Sequence, residues 1–350
     1  MTQTYYDILE VRHDACTEVI RAACRTLCAK YHPDKNPHPE ATVRFKLIRD
    51  AFDVLSDPQR RARYDDQLNV MGNDRKSESH TSSHAPPHSS THSNPPPGDV
   101  TEIPLPGGVT MKLVWCPPGT FTMGTPGATN EEAPVRVMLT SGFRLGQTVV
   151  TQAQWNAVMG WRSKPWSGMD YVKDGPNFPA TYVSHGTVKA DSATAYCEKL
   201  TQIERQAGRL PTGWKCVLPT EAQWEYACRA GTTTPYNFKG DELQLGASAW
   251  FDKNASDIGE RYAHAVGTKL ANPWGLSDMH GNVWELCHDR YVDKLPGGRD
   301  PAGPSNGSDR VSRGGSWDGS AGRCRSACRR GDGPSRRNFN LGFRICLSSD

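Results

Sequence analysis

The sequence lacks the features that would place it in a membrane or in an oxidising compartment. No run of about 18 apolar residues occurs, so no membrane-spanning helix is expected. The first residues are polar and include Asp7, so they do not resemble a secretory signal, and a cytoplasmic location is expected. The formal net charge is only +3, which is too small to indicate a nucleic-acid or membrane partner.

Cysteine is present, but it does not suggest a disulfide framework. The chain has 11 cysteines, an odd number, and a reducing compartment disfavours disulfides. Three roles therefore stay open for them: buried small hydrophobic side chains, metal ligands or reactive thiols.

Composition divides the 350 residues into three segments. Residues 1–69 carry apolar side chains at helical spacing on both sides of a Pro-bounded loop, which predicts two packed helices. Residues 70–100 consist mostly of Ser, His, Thr, Pro and Asn with no aromatic residue, which predicts a disordered linker. Residues 101–350 alternate short apolar runs with Gly- and Pro-rich turns, which predicts a larger, loop-rich domain.

The linker contains four histidines at a spacing of four residues. They are His80, His84, His88 and His92. On a helix they would form one face able to hold a metal ion, but Pro86 and Pro87 disfavour a helix there. A solvated linker is the preferred interpretation.

Two helices are predicted within the larger domain, over residues 189–206 and 220–230. The second has Thr220 as its capping residue and Gln223 three positions later, the pattern of a capping box. Packed tryptophans and bound metal ions are expected to keep the surrounding loops ordered.

Four blocks of the N-terminal segment surround a His-Pro-Asp signature. They are Tyr5–Leu9, Ala29–Lys35, Ala51–Pro58 and Arg60–Asp65. These blocks resemble the J-domain of DnaJ-type co-chaperones. The resemblance implies an all-α domain that docks on a DnaK-type chaperone and stimulates its ATP hydrolysis. The implied chaperone-binding residues are His32, Pro33, Asp34, Arg21, Arg25 and Lys30.

One departure from the J-domain pattern concerns two thiols. Cys24 and Cys28 stand in a helix that is richer in Lys and Arg in the family. A weakened chaperone contact, or a domain kept as a folded spacer, stays open beside the functional interpretation. The two thiols could bind a metal, but packing is the preferred role.

Several blocks keep a fixed order through the larger segment. They are Pro117–Gly124, Glu132–Val135, Val149–Trp155, Leu218–Ala227, Asp278–Glu285, Arg313–Trp317 and Leu341–Arg344. They resemble the formylglycine-generating enzyme, or sulfatase-modifying factor, family. The resemblance implies an irregular α+β domain of C-type-lectin-like fold, so a multidomain chain with an all-α J-domain is expected.

The family's oxidase activity depends on two copper-binding cysteines. Their positions correspond here to Gly319 and Cys324, so one thiolate is missing and copper binding is not expected. A second, iron-dependent branch uses a His-x3-His-x-Glu motif, which this chain does not contain. Whether the chain is an enzyme stays open. A metal-dependent oxidoreductase of the formylglycine-generating type, acting through Cys324, is the alternative function.

A calcium site is implied by the same resemblance. The family places an acidic or amide side chain, two backbone carbonyls and a Glu within one short loop, and Ca²⁺ prefers such oxygen ligands. The matching positions are Asp278, Gly281, Val283 and Glu285. A turn capped by Asp278 is the alternative.

The segment around 313–344 mixes small, charged and aromatic residues without periodicity, and nothing in it is expected to form a core. Its frame of Gly-Gly-Ser-Trp, Cys-Arg-Ser-Ala and Leu-Gly-Phe-Arg resembles the variable region of proteins diversified by diversity-generating retroelements. Such a tract acts like a paratope on a rigid scaffold. The candidate ligand contacts are Trp317, Asp318, Ser320, Arg323, Cys328, Arg330, Asp332, Ser335, Arg336 and Phe339. An ordinary homologue with a solvated loop is the competing interpretation.

Together these features predict a two-part adaptor. The C-terminal domain would bind a ligand, expected to be a protein, and the J-domain would recruit a DnaK-type chaperone to it. Nine Arg residues between Asp309 and Arg344 favour an acidic ligand surface, and no stacking platform supports nucleic acid.

Overall fold

The computed structural model describes residues 4–11, 15, 17–31, 39–57, 61, 64, 94–160, 166–186, 191–238 and 242–349. The chain divides into two compact units, Met1–Ser90 and Thr91–Asp350, and this division falls inside the predicted linker. The linker histidines, together with His32, Pro33 and Asp34, lie outside the described residues.

The N-terminal unit is helical, with α1 over Tyr5–Ile8, α2 over Thr17–Lys30 and α3 over Pro39–Leu55. Thr4 begins α1 with a capping box, because its hydroxyl accepts from the Asp7 N–H and the Asp7 carboxylate bonds back to the Thr4 N–H. The helices bury an apolar stripe made of Tyr6, Ile8, Leu9, Ile20, Cys24, Leu27, Ile48, Ala51 and Leu55. Helical spacing alone therefore predicts which faces of α2 and α3 meet.

The two thiols of α2 lie side by side, with Cys24 Sγ 3.8 Å from Cys28 Sγ. Burial raises the pKa of the Cys24 thiol to about 11, so it is protonated at neutral pH. Over the part of the chain that the structure describes, no group of three or more His, Cys, Asp or Glu side chains could hold a metal ion. This arrangement favours packing as the role of the pair.

The C-terminal unit is built from short elements joined by long turns. Its helices are α4 (Gln152–Met159), α5 (Ala193–Gln206) and α6 (Glu221–Arg229), and short 3-10 turns cover Pro106–Gly108, Glu242–Ala247, Asp252–Asn254, Ser256–Ile258 and Ala321–Cys324. Its strands are β1 (Val100–Pro104), β2 (Thr110–Cys116), β3 (Gly119–Met123), β4 (Val135–Leu139), β5 (Phe143–Gly146), β6 (Trp214–Val217), β7 (Ala249–Trp250), β8 (His280–Gly281), β9 (Trp284–Arg290), β10 (Gly298–Arg299), β11 (Arg310–Arg313), β12 (Arg329–Asp332), β13 (Leu341–Gly342) and β14 (Cys346–Ser349).

The described strands of this unit form four sheets, of which β10-β4-β3 and β7-β8 are the smaller two. The largest has the strand order β1-β2-β5-β14-β6, so the last strand of the chain lies between β5 and β6. The second largest has the order β12-β11-β9-β13 and contains the strands on both sides of the aperiodic tract. Both ends of the tract are therefore fixed to one sheet.

Local signals account for the helices of the C-terminal unit. Thr220 caps α6, and its capping box with Gln223 confirms the prediction. Thr151 and Gln154 form the same box at α4, a helix that the sequence analysis did not predict. Helix α5 begins after Ser192, whose hydroxyl accepts from the Ala195 N–H.

Aromatic packing fills much of the core. Trp155 stacks on Tyr196 with ring centroids 5.6 Å apart and meets Phe343 edge-on at 6.0 Å. Seven cysteines of this unit are free and buried: Cys324 in the aperiodic tract and six that were expected as small packing side chains, Cys116, Cys197, Cys216, Cys228, Cys287 and Cys346. Within the described part of the chain, no helix is both long and apolar enough to cross a bilayer.

Candidate ligand-binding surface

The aperiodic tract begins at a turn that requires glycine. Gly314 and Gly315 follow β11 with φ of 96° and 77°, a region that favours glycine. A Cβ on Gly315 would lie 2.8 Å from both the Arg323 carbonyl oxygen and Cys324 Sγ. The turn therefore folds the start of the tract tightly against its middle.

Arg313 holds the middle of the tract in place. Its side chain is fully buried, and its guanidinium donates to the carbonyl oxygens of Ser326 at 2.9 Å, Ala327 at 2.7 Å and Cys328 at 2.8 Å. The same guanidinium pairs with the buried Glu225 carboxylate. A charge-assisted bond thus fixes Arg313, and Arg313 in turn fixes three consecutive carbonyls of the tract.

Two further ion pairs attach the tract to the rest of the unit. Arg325 makes a bidentate pair with Glu132 at 2.7 and 2.9 Å. Arg329 makes another with Glu221 at 2.8 and 2.7 Å, where both side chains are almost completely buried. Because bidentate pairs constrain orientation as well as distance, the tract has a defined backbone path.

The predicted ligand contacts differ in exposure. Five are exposed and three are half-buried; the exposed ones are Asp318, Ser320, Arg323, Ser335 and Arg336, and the half-buried ones are Cys328, Arg330 and Phe339. The exposed set is polar and carries three of the four charged residues among these eight. The tract thus presents polar and charged side chains to solvent over a backbone that buried ion pairs hold in place.

Two of the predicted contacts are wrong. Trp317 is 2% exposed and packs with Val149, Ala263 and Val283, so it belongs to the core. Asp332 is 1% exposed and lies 2.9 Å from the Arg330 guanidinium and 3.3 Å from the Arg336 guanidinium. It therefore orients two candidate contacts rather than meeting a ligand itself.

The expectation that nothing in the tract would form a core is also wrong. Ala321, Cys324, Ser326 and Ala327 are all buried. Cys324 packs with a small apolar cluster, and burial raises the pKa of its thiol far above the ordinary value. With Gly319 at the other copper position, these residues offer one buried, protonated thiol and do not fit a two-thiolate copper site.

Sequence reasoning missed one aromatic side chain beside the tract. Tyr171 is 48% exposed, has φ of 58°, and lies 5.0 Å from the Phe339 ring and 6.4 Å from the Trp317 ring between centroids. A bulky residue at positive φ is unusual and is found most often at functional sites. No sequence pattern marks Tyr171, because it lies far along the chain from the tract.

The predicted calcium ligands do not assemble as expected. Both Glu285 oxygens pair with the Arg344 guanidinium at 2.6 Å, and one also accepts from the Trp224 indole at 2.7 Å. Asp278 is buried and accepts from the Gly267 N–H at 2.8 Å, which matches the capped turn named as the alternative.

The two backbone members of that calcium set are Gly281 and Val283, and both are buried. A divalent cation there would have to displace the charge of Arg344, so the Glu285 arrangement does not fit calcium. Glu285 as a calcium ligand is corrected, and calcium binding itself stays a prediction.

The described chaperone-binding candidates lie on α2. Arg21, Arg25 and Lys30 are all exposed. They present positive charge to solvent, as docking on an acidic partner surface would require.

The fold and this surface define a multidomain chain: a helical J-domain joined to an irregular, C-type-lectin-like domain of the sulfatase-modifying type. A family model described as "Sulfatase-modifying factor enzyme 1-like domain" matches residues 105–349. The chain belongs to this family. A second model, "DnaJ domain", matches residues 4–65, which confirms the N-terminal J-domain.

Curated relatives match each part separately. The formylglycine-generating enzyme of Streptomyces coelicolor is 34% identical over 205 residues, which are 54% of this chain and 59% of that enzyme. The enzyme of Mus musculus is 28% identical over 78% of this chain and 84% of its own length. The DnaJ chaperone of Nitratiruptor sp. is 55% identical over 62 residues, only 17% of its length.

Solved structures match the C-terminal unit. "Treponema denticola variable protein 1" superposes with a TM-score of 0.59 at 27% identity, covering 71% of this chain and 98% of its own. PvdO from Pseudomonas aeruginosa gives a TM-score of 0.60 at 25% identity, covering 73% and 100%.

Proposed function

We propose that the C-terminal unit binds a protein ligand through the exposed side chains of the tract, and that the J-domain recruits a DnaK-type chaperone to this ligand. The observation that carries the proposal is the separation of roles within the tract. Buried Arg–Glu pairs fix its backbone, while Asp318, Ser320, Arg323, Ser335 and Arg336 reach solvent. Side chains that do not hold the fold can vary with the ligand.

The chemistry of the surface favours a ligand with acidic and apolar features. Arg323 and Arg336 are exposed beside a single exposed acid, Asp318. Phe339 and Tyr171 supply aromatic surface at the end of the tract. Arg and aromatic side chains contribute most to binding hot spots, so these residues are the proposed anchors.

The comparisons support both halves of the proposal. The likeness to Treponema denticola variable protein 1 agrees with the resemblance to retroelement-diversified variable regions. The DnaJ match agrees with the His-Pro-Asp signature, and J-domains as a class act with DnaK-type chaperones. The oxidase alternative is not favoured, because Gly319 and the buried Cys324 do not provide two thiolates.

The chaperone half is tested in the full-length chain with His32→Gln. We expect this variant to lose stimulation of DnaK ATP hydrolysis while its ligand capture is unchanged. His13→Gln, which alters a histidine of the same domain outside the signature, is the matched control and should keep stimulation. Stimulation that persists in His32→Gln would contradict chaperone recruitment.

The ligand half is tested with a charge-matched pair of triple variants. The tract variant combines Asp318→Ser, Arg323→Ser and Arg336→Ser. The control combines Glu102→Ser, Lys112→Ser and Arg136→Ser, which are exposed and remove the same charges. Each protein is crosslinked to its bound ligand in an extract of the source cells. The amount of crosslinked ligand protein should fall at least tenfold in the tract variant and stay unchanged in the control.

A further inference from the structure

A cavity of the C-terminal unit borders the tract, because Gly186 in its wall donates to the Pro334 carbonyl oxygen and Arg310 pairs with Asp332 in the register of β11 and β12. Its volume is about 500 Å³, and it opens between α5, β6 and the neighbouring ends of β9 and β11. None of the ten candidate ligand contacts lines it. Its size falls in the range of small-molecule sites, so it is large enough for a metabolite-sized ligand.

Positive charge dominates the lining of this cavity. Arg205, Lys215 and Arg310 face it together with His288, and Glu198 is the acidic residue among the described lining side chains. Burial and the neighbouring Arg290 lower the pKa of Arg310, while the buried Asp289 acts in the opposite direction. Three permanent cations against one lining carboxylate leave the cavity electropositive.

One donor group in the wall lacks an acceptor. The Nε–H of Arg310 is buried without a hydrogen-bond partner within the described part of the chain, although Arg310 Nη1 donates to the His288 carbonyl oxygen at 2.6 Å. His185 does not add a second donor, because its ring is neutral and its Nδ1 lies 3.4 Å from the Gly186 carbonyl oxygen. Buried polar groups are nearly always paired, so unpaired groups at a cavity wall mark a place for a ligand atom.

The same positive charges affect the pKa values of His185 and His288. Burial, together with the charges of Arg310 and His288, lowers the pKa of His185 to about 4, while the Gly186 and Cys287 carbonyls act in the opposite direction. Burial and the cations Arg310 and Lys215 also lower the pKa of His288. A bound anion would raise the pKa of both histidines.

We propose that this cavity binds a phosphate-type oxyanion, free or carried by a small organic molecule, through Arg310 and Lys215. Arg310 is suited to this role because its planar guanidinium matches the oxygens of a tetrahedral oxyanion. The site shares no lining residue with the candidate ligand contacts of the tract, so it goes beyond the proposed function.

The full-length protein is titrated with inorganic phosphate, with glycerol 3-phosphate and with sodium chloride at matched ionic strength. The readouts are the thermal midpoint by tryptophan fluorescence and the His288 titration by NMR. Either phosphate should raise the midpoint and move the His288 pKa upward by at least half a unit beyond the chloride effect. Tighter binding of glycerol 3-phosphate identifies an organic phosphate, and equal binding identifies the free ion; both support the shared chemistry.

Three variants complete the test. Arg310→Gln and Lys215→Gln should each weaken phosphate binding at least tenfold, and the second remains informative if the first does not fold. Arg261→Gln removes an exposed arginine outside the cavity and should bind as the parent does. Phosphate effects equal to those of chloride, or unchanged in both cavity variants, would overturn the proposal.

Discussion

Glu225→Gln tests whether buried ion pairs hold the tract in place. Glu225 is fully buried and accepts from the Arg229 guanidinium at 2.8 Å, from the Gly124 N–H at 2.8 Å and from the Arg313 guanidinium. Glutamine keeps the shape but removes the negative charge between two guanidinium groups. The amide N–H groups of the new glutamine would also face at least one of the N–H groups that donate to Glu225 in the parent.

The expected cost follows from this geometry. Glu221 lies 3.8 Å from Arg313 and already pairs with Arg329, so it cannot fully compensate Arg313. Removing one partner of a buried ion pair costs about 3–5 kcal/mol, because the remaining charge stays out of water. That is a large fraction of the stability of a typical domain.

The assay is urea unfolding followed by tryptophan fluorescence. All 10 tryptophans lie between Trp115 and Trp317, so the signal reports the C-terminal unit and not the J-domain. Glu102→Gln is the matched control, because Glu102 is exposed and lies 3.5 Å from the Lys112 ammonium group. An exposed pair of this kind contributes about 0–1 kcal/mol.

A free energy of unfolding within about 1 kcal/mol of the parent would refute the reasoning about Glu225. Equal losses in Glu225→Gln and Glu102→Gln would refute it as well, since burial would then not decide the cost.

Two further predictions concern buried ionisable groups. Burial raises the pKa of Asp289 to about 7, above its unfolded value of about 3.9, so the folded state retains the proton and stability falls as pH rises from about 4 to 7. In Asp289→Asn, about 2 kcal/mol of the loss between pH 5 and 7 should disappear from urea unfolding curves; an unchanged slope would contradict this. Because Cys324 is buried and protonated, the native protein should show no tight Cu(I) binding and no copper-dependent oxygen consumption, and either activity would restore the oxidase alternative. If the tract is diversified, DNA beside the gene should carry a reverse-transcriptase gene and a near-repeat of the 3′ coding end that differs at adenines; sequencing checks this, and their absence would contradict diversification.

Local features were predictable from sequence because their partners lie nearby along the chain. The capping box of Thr220 and Gln223 spans three residues, and the apolar stripes of α2 and α3 follow helical spacing. The family motifs make the fold of the whole C-terminal unit predictable as well, because the sequence blocks that carry them follow one another in a fixed order.

Long-range charge pairs were not predictable in the same way. Arg313 and Arg344 are fully buried, but their partners Glu225 and Glu285 lie 88 and 59 residues away. A sequence read residue by residue assigns arginine to the surface. The same limit explains why Glu285 was predicted as a calcium ligand.

Within the tract, the sequence did not separate inward from outward side chains. Helices and strands reveal their buried face by periodicity, and an aperiodic segment offers no such pattern. Trp317 and Asp332 were therefore predicted as ligand contacts, although packing and ion pairs place them inside. Tyr171 was missed because only tertiary structure brings it to Phe339.

The most direct measurement compares capture and stability in the same tract variant. In Asp318→Ser/Arg323→Ser/Arg336→Ser, the urea transition should stay cooperative at a somewhat lower midpoint than in the parent. The midpoint falls because Asp318 accepts from Ser316 Oγ at 2.6 Å and from the Asn340 amide at 2.9 Å, and because Arg336 lies 3.3 Å from the buried Asp332 carboxylate. Capture of the crosslinked protein should be lost, while stimulation of DnaK ATP hydrolysis continues. A folded variant that still captures the same protein as the parent would contradict ligand binding by the tract.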